Sequence, residues 1–214
     1  MPAQVSEAIV LRTFPLKEAD LIVSFFTRDH GKLRGVANRA RKPKGGFGSS
    51  LERLSQVQIQ YTARENRDLV RIEHCEIQHS QFELSRAYST GVALDVMAEI
   101  SEHLLPMAEV NEKYFRLMGR VLEFLRGRGE AGVWQAVTYF EVWAVRLSGF
   151  LPEVNLGMES MEILSEILKM SVEKMPEREW TQSTAKDLRR TMVRLIEGHI
   201  ERRLLAAPML EELA

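Results

Sequence analysis

A basic, glycine-rich stretch at residues 38–50 holds the side chains best suited to chemistry in this sequence. It reads NRARKPKGGFGSS. Arg39 and Arg41 carry planar guanidinium groups, whose paired N–H donors match the oxygens of a phosphate. Phe47, which lies between glycines, offers a ring face to an unstacked base. Because Pro43 and the glycines disfavour regular structure, we expect an exposed, mobile loop that binds a polyanion.

The alternative is a solvated loop whose charges only keep the protein soluble, and the composition of the loop alone leaves the two interpretations even. Lys32 and Arg34 favour the first, because they alternate along a predicted strand and extend positive charge onto the surface. The basic residues that we expect to contact phosphates are Lys32, Arg34, Arg39, Arg41, Lys42 and Lys44.

Charge is distributed unevenly along the chain, although the formal net charge at pH 7 is only -1. Residues 1–80 hold 13 Lys and Arg against 9 Asp and Glu, whereas residues 81–214 hold 16 against 21. The first part thus carries +4 and the second -5. Residues 28–53 alone carry +6. This asymmetry indicates that the first part binds a polyanion.

Motifs for catalysis and for metal binding are absent from the sequence. It contains no CxxC, HExxH or GxSxG pattern, and no phosphate-binding loop of the GxxxxGK[ST] kind. The single cysteine, Cys75, follows His74 on a predicted strand, so their side chains point apart and a shared metal site is disfavoured. We expect Cys75 to be a small buried residue. We also expect a protein that is not an enzyme and needs no cofactor.

The elements that must position the basic residues change type near residue 80. Before it, β-branched and aromatic runs separated by turns predict five strands, at Val5 to Phe14, Leu21 to Arg28, Lys32 to Asn38, Ser55 to Thr62 and Leu69 to Ile77. The hydrophobic phase changes within the fifth strand, which predicts a bulge or bend. Five strands in under 80 residues predict a small barrel, and the OB-fold is the commonest such barrel that binds nucleic acids.

Beyond residue 80 the apolar residues recur with a helical period and predict four or five helices. Their faces lie at Val92 to Leu104, Tyr114 to Leu125, Val133 to Leu147, Met161 to Leu168 and Leu188 to Ile196. Thr184 and Asp187 have the spacing of a capping box for the last helix. We therefore predict a multidomain α+β protein. Residues 1–79 would form a nucleic-acid-binding OB-fold barrel, and residues 80–214 an all-α domain that binds partners and packs on the barrel.

Several motifs, taken in order, resemble the RecO family of bacterial DNA repair proteins. They are Glu18-Ala19-Asp20, His30-Gly31-Lys32, the basic loop, Phe47-Gly48 and Gly149-Phe150-Leu151-Pro152. The resemblance is dense over residues 5–80, weaker as far as Pro152 and thin beyond. It implies an OB-fold followed by a helical domain, in agreement with the pattern of the residues.

The resemblance also implies a recombination mediator without catalytic turnover. Such a protein binds single- and double-stranded DNA without sequence specificity and anneals complementary strands. With RecR, and often RecF, it helps RecA to displace the single-strand-binding protein SSB. Transferred residue by residue, the resemblance assigns DNA contacts to the same basic set. The family also binds the acidic, Phe-ended tail of SSB in a basic-rimmed apolar pocket of the helical domain, where we expect Arg120, Arg126, Arg128 or Arg146 to act.

One departure from the family pattern concerns zinc. Many RecO sequences carry zinc-binding cysteines after the GFLP motif, whereas no cysteine follows Cys75 here, so we expect a shortened form without zinc. No apolar run is long enough to cross a membrane, and no signal peptide is recognisable. We therefore expect a cytoplasmic, nucleoid-associated protein without a membrane partner.

A second hypothesis gives the chain a different role. In it the acidic helical domain is a scaffold that recognises proteins, and DNA binding by the barrel is incidental. Reversing the charge of Arg39 and Arg41 separates the two hypotheses, because only the first requires these residues for annealing.

Overall fold

The computed structural model describes residues 3–42, 46–63 and 68–213. Lys44 and the turn predicted at residues 64–67 lie outside the described residues. The chain divides into two compact units, one formed by Met1–Glu83 with Leu105–Phe115 and the other by Leu84–Leu104 with Arg116–Ala214. We call them the barrel unit and the helical unit.

The barrel unit contains five strands that close on themselves. They are β1 (Gln4–Leu16), β2 (Asp20–Thr27), β3 (Gly31–Ala37), β4 (Gln56–Thr62) and β5 (Val70–His79). The strands follow the order β1-β2-β3-β5-β4 around the barrel. All neighbours are antiparallel except β3 and β5, which are parallel. This is the architecture of an OB-fold, and each strand overlaps a predicted one.

Alternating apolar side chains fill the barrel. Val10, Phe25 and Ile59 are fully buried and belong to one apolar cluster, which we call the barrel core. Cys75 lies in the same cluster and is buried, as predicted. The register of β4 against β5 shifts within the pairing, which confirms the irregularity predicted for β5.

A bulge in β1 decides which of its side chains point outward. Ala8 and Val10 point into the barrel core, and strict alternation would place Arg12 and Phe14 there as well. Instead the pairing with β2 shifts between Val10 and Arg12, so that Leu11 is an extra residue. One extra residue reverses the alternation. Arg12 and Phe14 therefore lie on the outside of the barrel.

Residues 105–115 belong to the barrel unit and cover the end of the hairpin formed by β2 and β3. The N–H of Ala108 donates to the carbonyl of Lys32 at 2.8 Å. The ring of Tyr114 meets that of Phe26 edge to face, with 6.1 Å between the centroids. Phe26 points away from the barrel core, and this contact helps to bury it.

Gly31, in the His30-Gly31-Lys32 motif, permits this close approach. Its φ of +72° lies in the left-handed region, which favours glycine. A Cβ atom on Gly31 would also lie only 2.3 Å from the carbonyl oxygen of Glu109. The motif therefore contains a glycine for reasons of backbone packing.

The second half of the chain is helical. Its helices are α1 (Tyr88–Leu104), α2 (Glu112–Arg128), α3 (Val133–Leu147), α4 (Met158–Lys169), α5 (Lys186–Ile200) and α6 (Ala206–Glu211). The first five contain the predicted apolar faces, whereas α6 is too short to show a period. A five-stranded OB-fold barrel followed by helices confirms the predicted α+β fold class.

Thr184 and Asp187 do not form the predicted capping box. Helix α5 follows Ala185, which has a left-handed φ of 54°, and no side chain caps the helix. The Asp187 carboxylate instead accepts the N–H of Gly157 at 2.9 Å and the hydroxyl of Ser160. The spacing was that of a cap, but Asp187 stabilises the start of α4 instead.

Candidate nucleic-acid interface

Strands β1, β2 and β3 place two rows of side chains on the outside of the barrel. In one row Ser24 pairs with Arg12 on one side and with Arg34 on the other, so the three side chains are neighbours. In the next row Phe14 lies opposite Ile22. We call this surface the outer face and define it by Arg12, Phe14, Ile22, Ser24, Arg34 and Val36.

Both arginines of the outer face lie over one aromatic ring. The Cζ atom of Arg12 is 5.1 Å, and that of Arg34 5.9 Å, from the centroid of the Phe14 ring. Both arginines are exposed and Phe14 is partly exposed. The negative face of the ring attracts each guanidinium group and orients it while its N–H donors stay near water. The outer face therefore presents oriented positive charge.

The basic loop leaves the barrel at the end of β3 and is anchored at its start. The N–H of Arg39 donates to the Asp20 carboxylate at 2.7 Å, and the N–H of Arg41 donates to the carbonyl of Ala19 at 3.0 Å. The Glu18-Ala19-Asp20 motif thus holds the backbone of the loop. The side chains of Arg39, Arg41 and Lys42 remain exposed and available to an anion.

Phe47 does not offer its ring to a base, and this expectation was wrong. It is 8% exposed and belongs to the barrel core. The N–H of Ser50 donates to the carbonyl of Phe47 at 3.0 Å, and a short 3₁₀ helix spans Gly48–Leu51. Burying a phenyl ring is more favourable than leaving it in water, so the ring packs inward and this end of the loop is ordered.

Lys32 is a second residue for which the predicted exposure to a phosphate was wrong. It points outward, as alternation along β3 requires, but it is only 5% exposed. Met107 forms a β-bridge with it, so residues 105–109 cover the start of β3. The predicted basic residues that the structure shows exposed are Arg34, Arg39, Arg41 and Lys42.

Arg28 contributes to the +6 of residues 28–53, yet two acids in the barrel unit pair with it. Its guanidinium lies 3.1 Å from Glu7 and 3.4 Å from Glu112. The hydrogen bond with Glu7 is the main reason that the pKa of Arg28 is raised. Arg28 is therefore less available to an external anion than the arginines of the outer face and the basic loop.

Sequence reasoning missed Arg12 and Phe14. Alternation from Ala8 would have placed both inside the barrel, and only the bulge brings them out. The one signal of the bulge is the run from Ala8 to Leu11, four apolar residues in succession, which breaks strict alternation.

A second candidate site is a pocket in the helical unit, which we call the α5 pocket. Its volume is about 750 Å³, within the range of ligand-binding pockets, and residues of α3, α5 and α6 line it. Val193, Pro208 and Leu210 supply apolar surface. The cationic side chains that line it all lie on α5 and are Lys186, Arg189, Arg190 and Arg194.

Glu141 lines the same pocket and is fully buried. Neither of its carboxyl oxygens has a hydrogen-bond partner among the described residues. Burial raises its pKa to about 8, against the opposing effect of the Arg189 guanidinium. Arg189 is 1% exposed, lies 4.6 Å over the Trp134 ring, and donates to the carbonyls of Gln182 and Thr184. Burial in the pocket thus favours the protonated form of Glu141.

The arginines expected at the SSB tail lie elsewhere in the helical domain. Arg120, Arg126, Arg128 and Arg146 are all exposed, and none lines the pocket. Arg146 lies 5.2 Å over the Trp143 ring, and the charge of Arg120 opposes the rise that burial causes in the pKa of Tyr139. The other two lie in the last turn of α2. Arg120 and Arg146 thus each lie near an aromatic residue of α3.

In the part of the chain that the structure describes, no helix is both long and apolar enough to traverse a bilayer. Within it, too, no group of three or more His, Cys, Asp and Glu side chains is arranged to hold a metal ion. Cys75 is buried whereas its neighbour His74 is exposed, so the two point apart as predicted.

Comparison with known proteins identifies similar chains. Residues 1–81 match the family model described as Recombination protein O N terminal. A DNA repair protein RecO from Koribacter versatilis is 35% identical over an alignment of 242 positions, gaps included, that spans 97% of this chain and 98% of that protein. The RecO proteins of Cutibacterium acnes and Thermodesulfovibrio yellowstonii are 38% and 32% identical. The matches cover 60% and 75% of this chain, and 52% and 64% of those two proteins.

Proposed function

Because the chain belongs to the RecO family of DNA repair proteins, we propose that it acts as a recombination mediator and catalyses no reaction. Its barrel domain, residues 1–79, binds single- and double-stranded DNA without sequence specificity. Its helical domain, residues 80–214, binds partner proteins. With RecR, and with RecF, the protein helps to load RecA onto DNA that SSB coats.

The observation that carries this proposal is the exposed positive charge on the outer face and basic loop. Guanidinium and ammonium groups bind phosphate oxygens whatever the base sequence is. A surface that contacts the phosphates of two strands at once lowers their mutual repulsion. Complementary strands can then pair while they are held close together, which is the annealing reaction that we propose.

Charge reversal in the loop tests the proposal. We expect Arg39→Glu with Arg41→Glu to weaken binding of a single-stranded oligonucleotide roughly 100-fold at 50 mM salt, because two attractive contacts become repulsive. Annealing of fluorescent complementary strands should slow in parallel, while capture of RecR should be unchanged. The matched control is Arg202→Glu with Arg203→Glu, which makes the same change at exposed residues of the helical unit.

Retained annealing in the loop variant would contradict the proposal. It would favour the alternative in which the helical domain is a protein-binding scaffold and DNA binding is incidental. Loss of annealing in the control as well would mean that overall charge matters more than its position.

We further propose that the helical domain binds the acidic, Phe-ended tail of SSB. An apolar side chain next to carboxylates needs apolar surface beside cations. The α5 pocket offers both, and the acids Glu141, Asp187, Glu197 and Glu211 line it as well. Arg120 on α2 and Arg146 on α3 are the other candidate position. A tail peptide, with and without its terminal Phe, should be titrated against Arg190→Glu with Arg194→Glu and against Arg120→Glu with Arg146→Glu.

We expect one of the two double variants to lose at least 10-fold in affinity, because exposed charge pairs of this kind are each worth up to about 1 kcal/mol and reversal adds repulsion. The variant that loses affinity identifies the site. Equal binding by both variants and the wild type, or by peptides with and without Phe, would refute tail binding at these positions.

A further inference from the structure

Phe14 differs from the other aromatic residues on the strands of the barrel. Phe25, Phe26 and Tyr61 are each at most 1% exposed, and their rings pack against other rings of the barrel unit. Phe14 is partly exposed, although it pairs with Ile22 near the end of the hairpin formed by β1 and β2. A phenyl ring left at the surface of a sheet is an available contact for another planar, weakly polar group.

The surroundings of Phe14 select the kind of group that would bind it. Two guanidinium groups lie over its ring, and planar guanidinium groups also stack on nucleic-acid bases. Partly exposed Ile22 and Val36 flank the ring along the same row, so the surroundings combine apolar surface with positive charge. This combination matches an unpaired nucleotide, which has a planar base and an anionic phosphate.

We infer that Phe14, held by Arg12 and Arg34, is a stacking platform for an unpaired base of single-stranded DNA. The inference rests on the proposed function, because it assumes that DNA binds the barrel unit. In a duplex the bases are already stacked on each other, so the ring adds nothing there. The platform thus gives the barrel a preference for single strands that phosphate contacts alone do not supply.

The test compares three ligands of equal length with the wild type and with Phe14→Ala. The ligands are oligo-dT, the same backbone with abasic tetrahydrofuran units, and a duplex. We expect Phe14→Ala to weaken oligo-dT binding roughly 10-fold, as loss of one base stack does. Binding of the abasic strand and of the duplex should change less than 2-fold. Phe82→Ala, which removes another exposed phenyl ring of the barrel unit that is not part of the outer face, is the matched control and should change none of the three more than 2-fold.

Other outcomes have distinct meanings. Equal loss for all three ligands would overturn the inference, since Phe14 would then only support the arginines. No loss for oligo-dT would overturn it as well. If the wild type binds none of the three, the proposed DNA binding fails instead. Phe14→Leu keeps the apolar packing without the ring. If Phe14→Ala does not fold, Phe14→Leu is tested in its place. The inference is overturned if Phe14→Leu binds oligo-dT as tightly as the wild type does. It is supported if Phe14→Leu loses affinity for oligo-dT but not for the abasic strand or the duplex.

Discussion

The outer face of the barrel and the α5 pocket of the helical unit are both rich in arginine, but their surroundings differ. In the pocket, Lys186 and Arg190 lie 3.5 and 3.6 Å from the Glu211 carboxylate. On the outer face, Arg12 and Arg34 lie over the ring of Phe14 instead. An anion that enters the pocket competes with a carboxylate already there, whereas an anion on the outer face meets cations oriented by a ring.

This difference suits the two regions to different partners. Closely spaced phosphates supply many weak contacts, which exposed and distributed cations can collect. A pocket in which two of the four cations already face a carboxylate favours a ligand that replaces this acidic group and also fills apolar space. The sum of charges in each half of the chain does not reveal this distinction.

The largest effect that we expect concerns Glu141, the buried acid that lines the α5 pocket. The folded-state pKa of Glu141 is raised to about 8 from an ordinary value of 4.5, so between these pH values the folded protein holds a proton that the unfolded chain lacks. Stability should therefore fall as pH rises from 4.5 towards 8. Glu141→Gln removes this term. The difference in free energy of unfolding, variant minus wild type, should therefore be larger at pH 8 than at pH 5 by on the order of 3 kcal/mol, because only the wild type loses stability as the pH rises.

Denaturant unfolding at the two pH values measures this effect. Glu162→Gln, on the exposed side of α4, is the matched control and should not alter the pH dependence. If Glu141→Gln and the wild type respond identically to pH, Glu141 is ionised in the folded protein. The charges of the acids and the cations that line the pocket would then cancel, and the contrast between the pocket and the outer face would be stronger.

The next largest effect that we expect is on the salt dependence of DNA affinity, which should distinguish the outer face and basic loop from the α5 pocket. With five exposed cations (Arg12, Arg34, Arg39, Arg41 and Lys42) engaged, affinity for single-stranded DNA should fall roughly 100-fold between 50 and 200 mM salt. Arg12→Gln with Arg39→Gln should make the log-log slope shallower by about 1.4. Arg190→Gln with Arg194→Gln, in the pocket, should leave it unchanged. A comparable change in slope for the pocket variant would show that both regions bind DNA, and the comparison would fail.

Much of the barrel was predictable because its determinants are local. Alternation of Val57, Ile59 and Tyr61 with glutamines specifies a half-buried strand, and the matching strand is present. The basic loop was recognisable because its proline and glycines disfavour regular structure. The apolar faces of the first five helices followed for the same reason, since each face repeats within one segment.

The misplaced residues depend on contacts that are distant in sequence. Lys32 is covered by residues 105–109, more than 70 positions away, and nothing near Lys32 records this. Phe47 joins a core built by five separate strands. The outward direction of Arg12 depends on one extra residue in the pairing of β1 with β2. Single-residue register and remote covering segments are properties of the whole fold, so local patterns do not show them.

We expect a smaller effect when the ion pairs of the α5 pocket are broken. Glu211→Gln removes the carboxylate that Lys186 and Arg190 face, so both cations become more available to an anion from outside. We expect a roughly 5-fold gain in affinity for an acidic SSB tail peptide, since an exposed pair of this kind is worth up to about 1 kcal/mol. Glu212→Gln, at the neighbouring exposed residue, should have little effect. Unchanged affinity would indicate that the tail binds away from this pocket.

The smallest effect concerns how the barrel holds its cations. The Asp20 carboxylate accepts the N–H of Arg39, whose left-handed φ of 58° is unfavourable for a residue with a side chain. Asp20→Asn keeps an acceptor oxygen, whereas Asp20→Ala removes it, and both variants lose the same negative charge. The ratio of their affinities for DNA therefore measures the contribution of the backbone hydrogen bond separately from that of the charge. We expect DNA affinity about 3-fold weaker for Asp20→Ala than for Asp20→Asn, because a released loop loses entropy on binding. Equal affinities would mean that the loop needs only its charge, so that the outer face, with its ring-held arginines, is the only pre-organised part of the DNA surface.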